Sequence, residues 1–455
     1  MRIIFIYFIV SIAFPLNLTL TDYHNPAANH ILDAEVVGDI LIVSAMVQGI
    51  EFYNISNPEN PLDHLTNFNL SSGGGGIKSN CVRAIGNYAY FTSSNGLYVV
   101  NIANPSNPQS QGSVSGTSNL ILENLDLEEN TLAVCAHADG VLLYDISSPQ
   151  NPSYTATIEA DNAWAVAILD RFIYIGSNNE ILIFDILNIN NPIEIGTIET
   201  GNAVKDLAIA NGFLYAALGS DGVKIYDLIS AQNPQYLDNF NTNTLANRIA
   251  PFDNKLAVSD WDDVEVLEWN GESLNQVGYK NTGNRTMAIA AKENIIYSAE
   301  WASVQTFEFG EISGPDIDLS TLELNYPYVD NGASYSLSVD IINNGNETLT
   351  TIDNYTTNSE FTVINPLTSL TPGEVQTVEI IYNASSANAS GAYRIYSNDP
   401  DEPEIICETN GNIDGANVGE PAPDFELDYV ANGAGSFQLA EHLDKVVVIA
   451  FFSPG

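Results

Sequence analysis

The sequence predicts a mostly β chain whose larger part is a seven-bladed β-propeller, and three observations carry that prediction. First, the stretch Val141-Leu142-Leu143-Tyr144-Asp145-Ile146, followed by Pro149 and Pro152, recurs with its polar residue at Asn54, Asn101, Asp145, Asp185, Asp227, Glu268 and Glu308. The steps between those residues are 47, 44, 40, 42, 41 and 40, and seven phases near one period mark a repeat architecture. Second, Gln48-Gly49, Asn95-Gly96, Asp139-Gly140 and Asp221-Gly222 stand at one phase ahead of the recurring stretch. Asn-Gly and Asp-Gly between apolar runs signal tight hairpins, because such turns need positive φ. Third, the flanking runs are rich in Val, Ile, Tyr and Phe and nearly continuous in apolar residues, as strands are when both faces of their sheet are covered.

The third unit shows the internal plan: a strand from Asn124 to Leu127, a Glu128-Glu129-Asn130 turn, a strand from Thr131 to Ala136, the Asp139-Gly140 turn, then Val141 to Ile146. Proline ends that strand, since it cannot donate to a ladder. Four short strands per unit, seven times, imply propeller blades. A solenoid is the alternative, but it needs capping repeats, and neither end of the array resembles one. The seventh unit runs out of chain for its fourth strand at Gly310 to Pro315. Asn17 to Thr21, with Leu16, Leu18 and Leu20 alternating, is the candidate to supply it and close the ring.

Gly86-Asn87-Tyr88-Ala89-Tyr90-Phe91, with Asn95-Gly96-Leu97-Tyr98-Val99-Val100-Asn101-Ile102, resembles the bacterial LVIVD repeat family. The resemblance extends over residues 30 to 310 and implies the propeller fold. It implies no activity, because that family is defined by its repeat.

Fifty-seven acidic and 13 basic residues give a formal net charge of −44. Such a surface argues against nucleic acid, whose recognition depends on Lys and Arg neutralising phosphates. It suits solubility, a saline habitat or divalent cations. Met1-Arg2 followed by the apolar run Ile3 to Leu18 reads as an export signal, placing the protein in the envelope, the periplasm or outside the cell. A single membrane anchor is the alternative, though the run is short for a span. The boundaries expected are 1–21 for this segment, 22–312 for the propeller, 314–413 for a second β unit and 414–455 for a third segment.

The cysteines, Cys81, Cys135 and Cys407, form no disulfide framework and show no metal or redox spacing, so they read as buried small hydrophobes. His24, His30, His64, His137 and His442 show no paired spacing, and neither a Ser/His/Asp constellation nor a Gly-rich phosphate loop is present. No catalytic residue, cofactor or metal site is therefore assigned. Trp164, Trp261 and Trp301 stand at the phase of a loop face and read as inter-blade packing first, as a ligand surface second. Asp260-Trp261-Asp262-Asp263, the dense acidic cluster near a blade turn, reads as a solvated turn.

Beyond Gly314-Pro315 the pattern changes to alternation, as in Tyr335-Ser336-Leu337-Ser338-Val339-Asp340-Ile341, with turns at Asn344-Gly345 and Pro372-Gly373. About seven strands in one hundred residues, near 320–325, 335–342, 347–352, 360–364, 375–382, 391–396 and 404–409, fit an immunoglobulin-like sandwich. Asp316-Ile317-Asp318-Leu319, Ile342-Asn343-Asn344-Gly345-Asn346, Leu370-Thr371-Pro372-Gly373-Glu374 and Ser397-Asn398-Asp399-Pro400 resemble, in order, the ASPM/SPD-2/Hydin type of immunoglobulin-like domain. The resemblance implies a spacer or adhesion module. Asp399, Asp401 and Glu402 read as an exposed acidic turn before they read as a cation site.

In the last segment, Gly419-Glu420-Pro421-Ala422-Pro423-Asp424-Phe425 and the apolar run Val446 to Phe452 resemble the opening of the redoxin branch of thioredoxin-like α/β proteins. That branch includes thiol-disulfide reductases and alkyl hydroperoxide reductases. The resemblance implies a catalytic cysteine one residue beyond Gly455, as Cys or selenocysteine, at a helix N-terminus that favours the thiolate. An ordinary gene fragment is the other expectation. The residues present lack that nucleophile, so the family's thiol-disulfide or peroxide chemistry attaches to a parent protein. Residues 414 to 455 are expected not to order by themselves, since Val446 to Phe452 would be an unpaired apolar edge. The two functions in view are an exported, monomeric module that binds a protein or surface ligand, and the targeting part of an envelope oxidoreductase.

Overall fold

The computed structural model describes residues 16–26, 30–45, 49–58, 60–70, 79–93, 95–118, 120–242, 244–311, 313–385, 389–400, 402–412, 426–428 and 436–438. Every regular element among them is a β-strand. The chain divides into two units, residues 1–314 with 344–346, and residues 315–343 with 347–455.

In the first unit, five antiparallel sheets of four strands follow one another along the chain. Blade one is Ile31–Val37, Ile40–Ala45, Gly49–Asn54 and Asp63–Phe68, and blade two is Ser79–Ile85, Tyr88–Ser93, Gly96–Asn101 and Gln109–Ser113. Blade three is Leu125–Glu128, Thr131–Cys135, Val141–Asp145 and Ser153–Ile158, with blade four at Ala163–Leu169, Phe172–Ser177, Glu180–Asp185 and Ile193–Glu199. Blade five is Asp206–Ala210, Phe213–Ala217, Val223–Asp227 and Gln235–Phe240. Blade six contributes Arg248–Phe252, Lys255–Ser259 and Trp261–Trp269, and blade seven Ile295–Glu300 and Val304–Glu311. The long strand Leu274–Lys292 joins them into one sheet: its first part edges blade six against Trp261–Trp269, and its last part is the inner strand of blade seven against Ile295–Glu300.

The first strand of each blade packs against the first strand of the next, and that of blade seven packs against that of blade one. The result is a seven-bladed β-propeller. The missing fourth strand of blade seven is Leu16–His24, antiparallel to Val304–Glu311. It takes residues 16–21 from the segment expected to be an export signal, whose first fifteen residues lie outside the described ones.

Burial explains why the strands lack clean alternation. Each of the seven gaps between blades holds its own hydrophobic cluster, so both faces of a blade are apolar. The second strand of blade four is buried along its whole length, whereas the outer strand of blade two is wholly exposed. The polar residue that marks the repeat is an Asx cap in the first five units. Asp145, Asp185 and Asp227 accept the backbone N–H two residues on, from Ser147 at 2.8 Å, Leu187 at 2.9 Å and Ile229 at 2.7 Å. Asn54 and Asn101 do the same for Ser56 and Ala103. Glu268 and Glu308 instead reach across their own hairpins to Asn254 and Asn294.

Gly140 shows what the hairpin phase demands. Its φ is +76°, and a Cβ there would lie 2.1 Å from the carbonyl oxygen of Ile158 on the outer strand. Gly222 repeats this against Phe240 at 2.0 Å.

In the second unit, one sheet orders Ile317–Leu319, Ser334–Asn343, Val375–Asn383 and Phe361–Ile364. The other orders Glu323–Asn325, Glu404–Gly411, Ala389–Ser397, Leu349–Thr356 and Ser369–Leu370. Both contribute to one core, where Tyr326, Phe361 and Tyr382 meet with ring centroids 5.1–5.5 Å apart. Asp399 corrects the reading of an exposed turn. It is 1% exposed, and its carboxylate accepts the N–H of Ile317 at 2.7 Å and of Glu402 at 3.2 Å. It fastens a loop to the first strand, and Asp401 lies outside the described residues. Of residues 414 to 455, the described part is the pair Glu426–Asp428 with Ser436–Gln438, so the Val446 to Phe452 run and the α/β expectation fall outside.

Two outcomes test this account. Gly140→Ala should lower the urea midpoint well beyond Gly38→Ala, since both lose a positive-φ glycine but only the first meets backbone. Leu18, fully buried among Phe307 and Phe309, closes the ring, so Leu18→Ala should cost about 2–5 kcal/mol in the same measurement.

Candidate functional site

The seven inner strands converge on the propeller axis, and their register sorts the side chains near it into rings. The last paired residues of these strands are Val37, Ile85, Glu128, Leu169, Ala210, Phe252 and Lys292. Counting back four from each gives Asp33, Cys81, Asn124, Ala165, Asp206, Arg248 and Ala288. Counting back two gives Glu35, Arg83, Asp126, Ala167, Ala208, Ala250 and Ala290.

The first ring is a polar plug. Arg83 reaches from the second ring to Asp33 at 2.9 Å, and Arg248 lies 3.9 Å from Asp33 and 3.5 Å from Asp206. Asn124 donates to Asp206 at 3.0 Å and accepts from the Cys81 thiol at 3.2 Å. The contacts thus run from blade one through two, three, five and six and back. The same carboxylates hold backbone: Asp33 accepts the N–H of Val82 at 2.9 Å, and Asp206 that of Ile249 at 3.1 Å. Two guanidinium groups therefore answer two buried carboxylates at this level, as buried charge requires.

Below the plug the bore opens into a cavity of about 360 Å³, inside the range of roughly 300–1,000 Å³ usual for small-molecule sites. Its wall from blades one to three carries Glu35, Arg83, Asp126 and Glu128, and its wall from blades four to seven carries Ala167, Ala208, Ala250 and Ala290. Residues of the first ring do not line it. Asp126 accepts the N–H of Ile168 at 2.8 Å, Arg83 stands 3.9 Å from Glu35, and Oε2 of Glu128 is buried without a hydrogen-bond partner. Burial is the chief reason that Glu35 is pushed up to about 7 and Asp126 to about 6. These residues are invisible to motif reading. The signal available in the sequence was a charged residue inside otherwise apolar first strands, in Ile31-Leu32-Asp33-Ala34-Glu35-Val36 and Cys81-Val82-Arg83.

Several expected residues fall elsewhere. Cys81, Cys135 and Cys407 are buried and free, as read, although the Cys81 thiol also takes part in the plug. Burial pushes all three thiols up, away from reactivity. His24 and His64, unpaired in sequence, stack at 5.3 Å beside buried Glu51, which bonds His64 at 2.7 Å. His30 and His137 sit instead against Trp301 and Trp164, and His442 lies outside the described residues.

Trp164, Trp261 and Trp301 are half-buried, and Trp164 and Trp301 meet His137 and His30 of neighbouring blades. Each carries a cation over its ring: Lys205 at 5.6 Å on Trp164, and Arg285 at 5.0 Å on Trp261 and 5.9 Å on Trp301. The acidic cluster is not a solvated turn. Asp260 is 0% and Asp263 2% exposed, and with Glu265 they bring carboxylate oxygens within 4.8 Å of one another. That trio is the group among the described residues that could hold a metal ion. The buried Lys280 stands on the neighbouring strand, opposite Val264.

Comparison with known proteins bears on the fold. The LVIVD repeat matches residues 78–115 and 160–200, which are blades two and four. A chain in the crystal structure of the mitotic checkpoint complex is similar at a TM-score of 0.52 and 12% identity, over 67% of this chain and 99% of that one. The computationally designed Ika8 protein is similar at a TM-score of 0.48 and 13% identity, over 64% and 99%. The likeness to the chain of the mitotic checkpoint complex is one of fold. No curated protein is significantly similar to the chain.

The raised carboxyl of Glu35 fixes a pH dependence. Its folded value of about 7 exceeds its ordinary 4.5, so it contributes stability that is present below the ordinary value and lost as pH rises through about 7. Glu35→Gln should therefore raise the urea-derived stability by about 1–3 kcal/mol near pH 8. It should change little near pH 4.5, the group's ordinary value.

Proposed function

We propose that the chain is a non-enzymatic binding protein of the cell envelope or exterior, whose propeller takes a small ligand in its bore. The observation that carries this reading is the two-sided cavity: acidic and guanidinium groups on the wall from blades one to three, alanine on the wall from blades four to seven. A bore filled for packing alone would have branched side chains at Ala167, Ala208, Ala250 and Ala290, where the second ring leaves room. The thiols are buried, and the carboxylates of the plug are tied to backbone N–H groups.

Within this reading the second unit is an immunoglobulin-like spacer of the ASPM/SPD-2/Hydin type, supported by its two sheets on one core and by the ordered motifs in its sequence. The redoxin-like motif at residues 419–425 supports a link between the binding unit and thiol or peroxide chemistry of the envelope. The export run at the start of the sequence supports the location.

The test is calorimetric titration with three five-carbon probes that differ in head group: cadaverine, glutarate and pentanediol. At least one should bind wild type, and filling the alanine wall with Ala208→Trp should abolish that binding while Ala208→Leu weakens it. The melting temperature of each variant establishes that it folds. Binding that survives in folded Ala208→Trp, or no binding by any probe, would overturn the reading.

A further inference from the structure

Resting on the reading of the bore as a ligand site, we propose that its ligand is a small organic cation, an alkyl amine or guanidinium compound held by Glu35, Asp126 and Glu128. Charge accounting is the first argument. The four carboxyls Asp33, Glu35, Asp126 and Asp206 of the two rings face two guanidinium groups, Arg83 and Arg248. Both guanidinium groups reach the plug, Arg83 at 2.9 Å from Asp33 and Arg248 at 3.5 Å from Asp206, and of the two Arg83 alone also lines the cavity. Glu35 keeps a 3.9 Å approach of Arg83 and the backbone N–H of Ala84, and Asp126 accepts the backbone N–H groups of Ile168 and Leu127, so neither has a close ion-pair partner.

Among the described residues that line the cavity, Arg83 is the one cation. The groups that act on Glu35 are Arg83, Asp33 and Asp126, and those that act on Asp126 are Arg83 and Glu128. On the strand of blade seven that packs against blade one, Lys292 is committed to Asp39 at 2.6 Å. The first strand of blade four, Ala163–Leu169, which packs against blade three, carries no ionisable side chain. A buried carboxyl without a counter-ion relieves its desolvation by taking a proton or a cation. Burial raises Glu35 to about 7 and Asp126 to about 6, in line with that cost.

The orphaned Oε2 of Glu128 is the second argument, and it is independent of the count. Oε2 stands in the cavity wall with no donor, although the carboxylate also takes the backbone N–H of Asp170. A ligand N–H would satisfy it, whereas a carboxylate ligand would add repulsion to three acids. The formal net charge of −44 also draws cations to the molecule and repels anions.

The experiment uses the same three probes on the full chain. Cadaverine should bind at least about tenfold more tightly than pentanediol or glutarate near pH 8, a difference of about 1.4 kcal/mol. Its affinity should fall at least about tenfold near pH 5, where Glu35 and Asp126 hold protons while the amine stays charged. Glu35→Gln and Asp126→Asn should each weaken cadaverine by a similar factor, and Asp145→Asn, on an exposed turn, should not. Equal or tighter binding of glutarate or pentanediol, abolished by Ala208→Trp, would overturn the cation assignment and leave the bore as the site. Cadaverine binding that ignores Glu35→Gln and Asp126→Asn would also overturn it, as general attraction to an acidic surface. No binding by any probe would remove the bore reading itself.

Discussion

Each blade depends on having a neighbour on both faces. A four-stranded sheet with two apolar faces has no stable existence alone, and here each of the seven gaps is filled by its own cluster of Val, Ile, Leu, Tyr and Ala. That condition can be met everywhere only on a closed ring. The ring in turn brings seven first strands to one axis and leaves a bore whose contents the chain must manage. The plug, the cavity and the turn geometry all follow from this closure.

Much of the propeller was legible because repetition makes local chemistry visible. The Asp145 cap, the Gly140 turn and the proline-ended strand recur at fixed phase, and each has a local cause that a single unit already states. The strand Leu16–His24 was legible only as a candidate, since its partner Val304–Glu311 is distant in sequence and alternation alone does not name a partner. The site was the least legible. Asp33, Arg83, Asn124, Asp206 and Arg248 acquire their meaning from ring register and from neighbours across the axis. A search for motifs at short spacing passes over them.

The failures share a physical cause. Asp260, Asp263 and Asp399 were read as solvated because acidic residues near turns usually are, yet all three are buried. Carboxylates accept backbone N–H groups that loops leave over, and Asp399 does this for Ile317 and Glu402. The tryptophans are half-buried, and the rings of Trp164, Trp261 and Trp301 each carry a cation. Residue type predicts burial on average; the partner decides the case.

The clasp between the first and last strands of the propeller has a consequence for how the molecule is made. The hydroxyl of Thr21 meets that of Thr306 across 285 residues of chain. During synthesis the early strand leaves the ribosome first and waits, edge unpaired, until the whole array behind it has been produced. Contacts of that span form late and slowly. Blades one to five can assemble in order as they emerge, but the final locking step waits until Val304–Glu311 has left the ribosome, and a nascent chain carries an open seam until then.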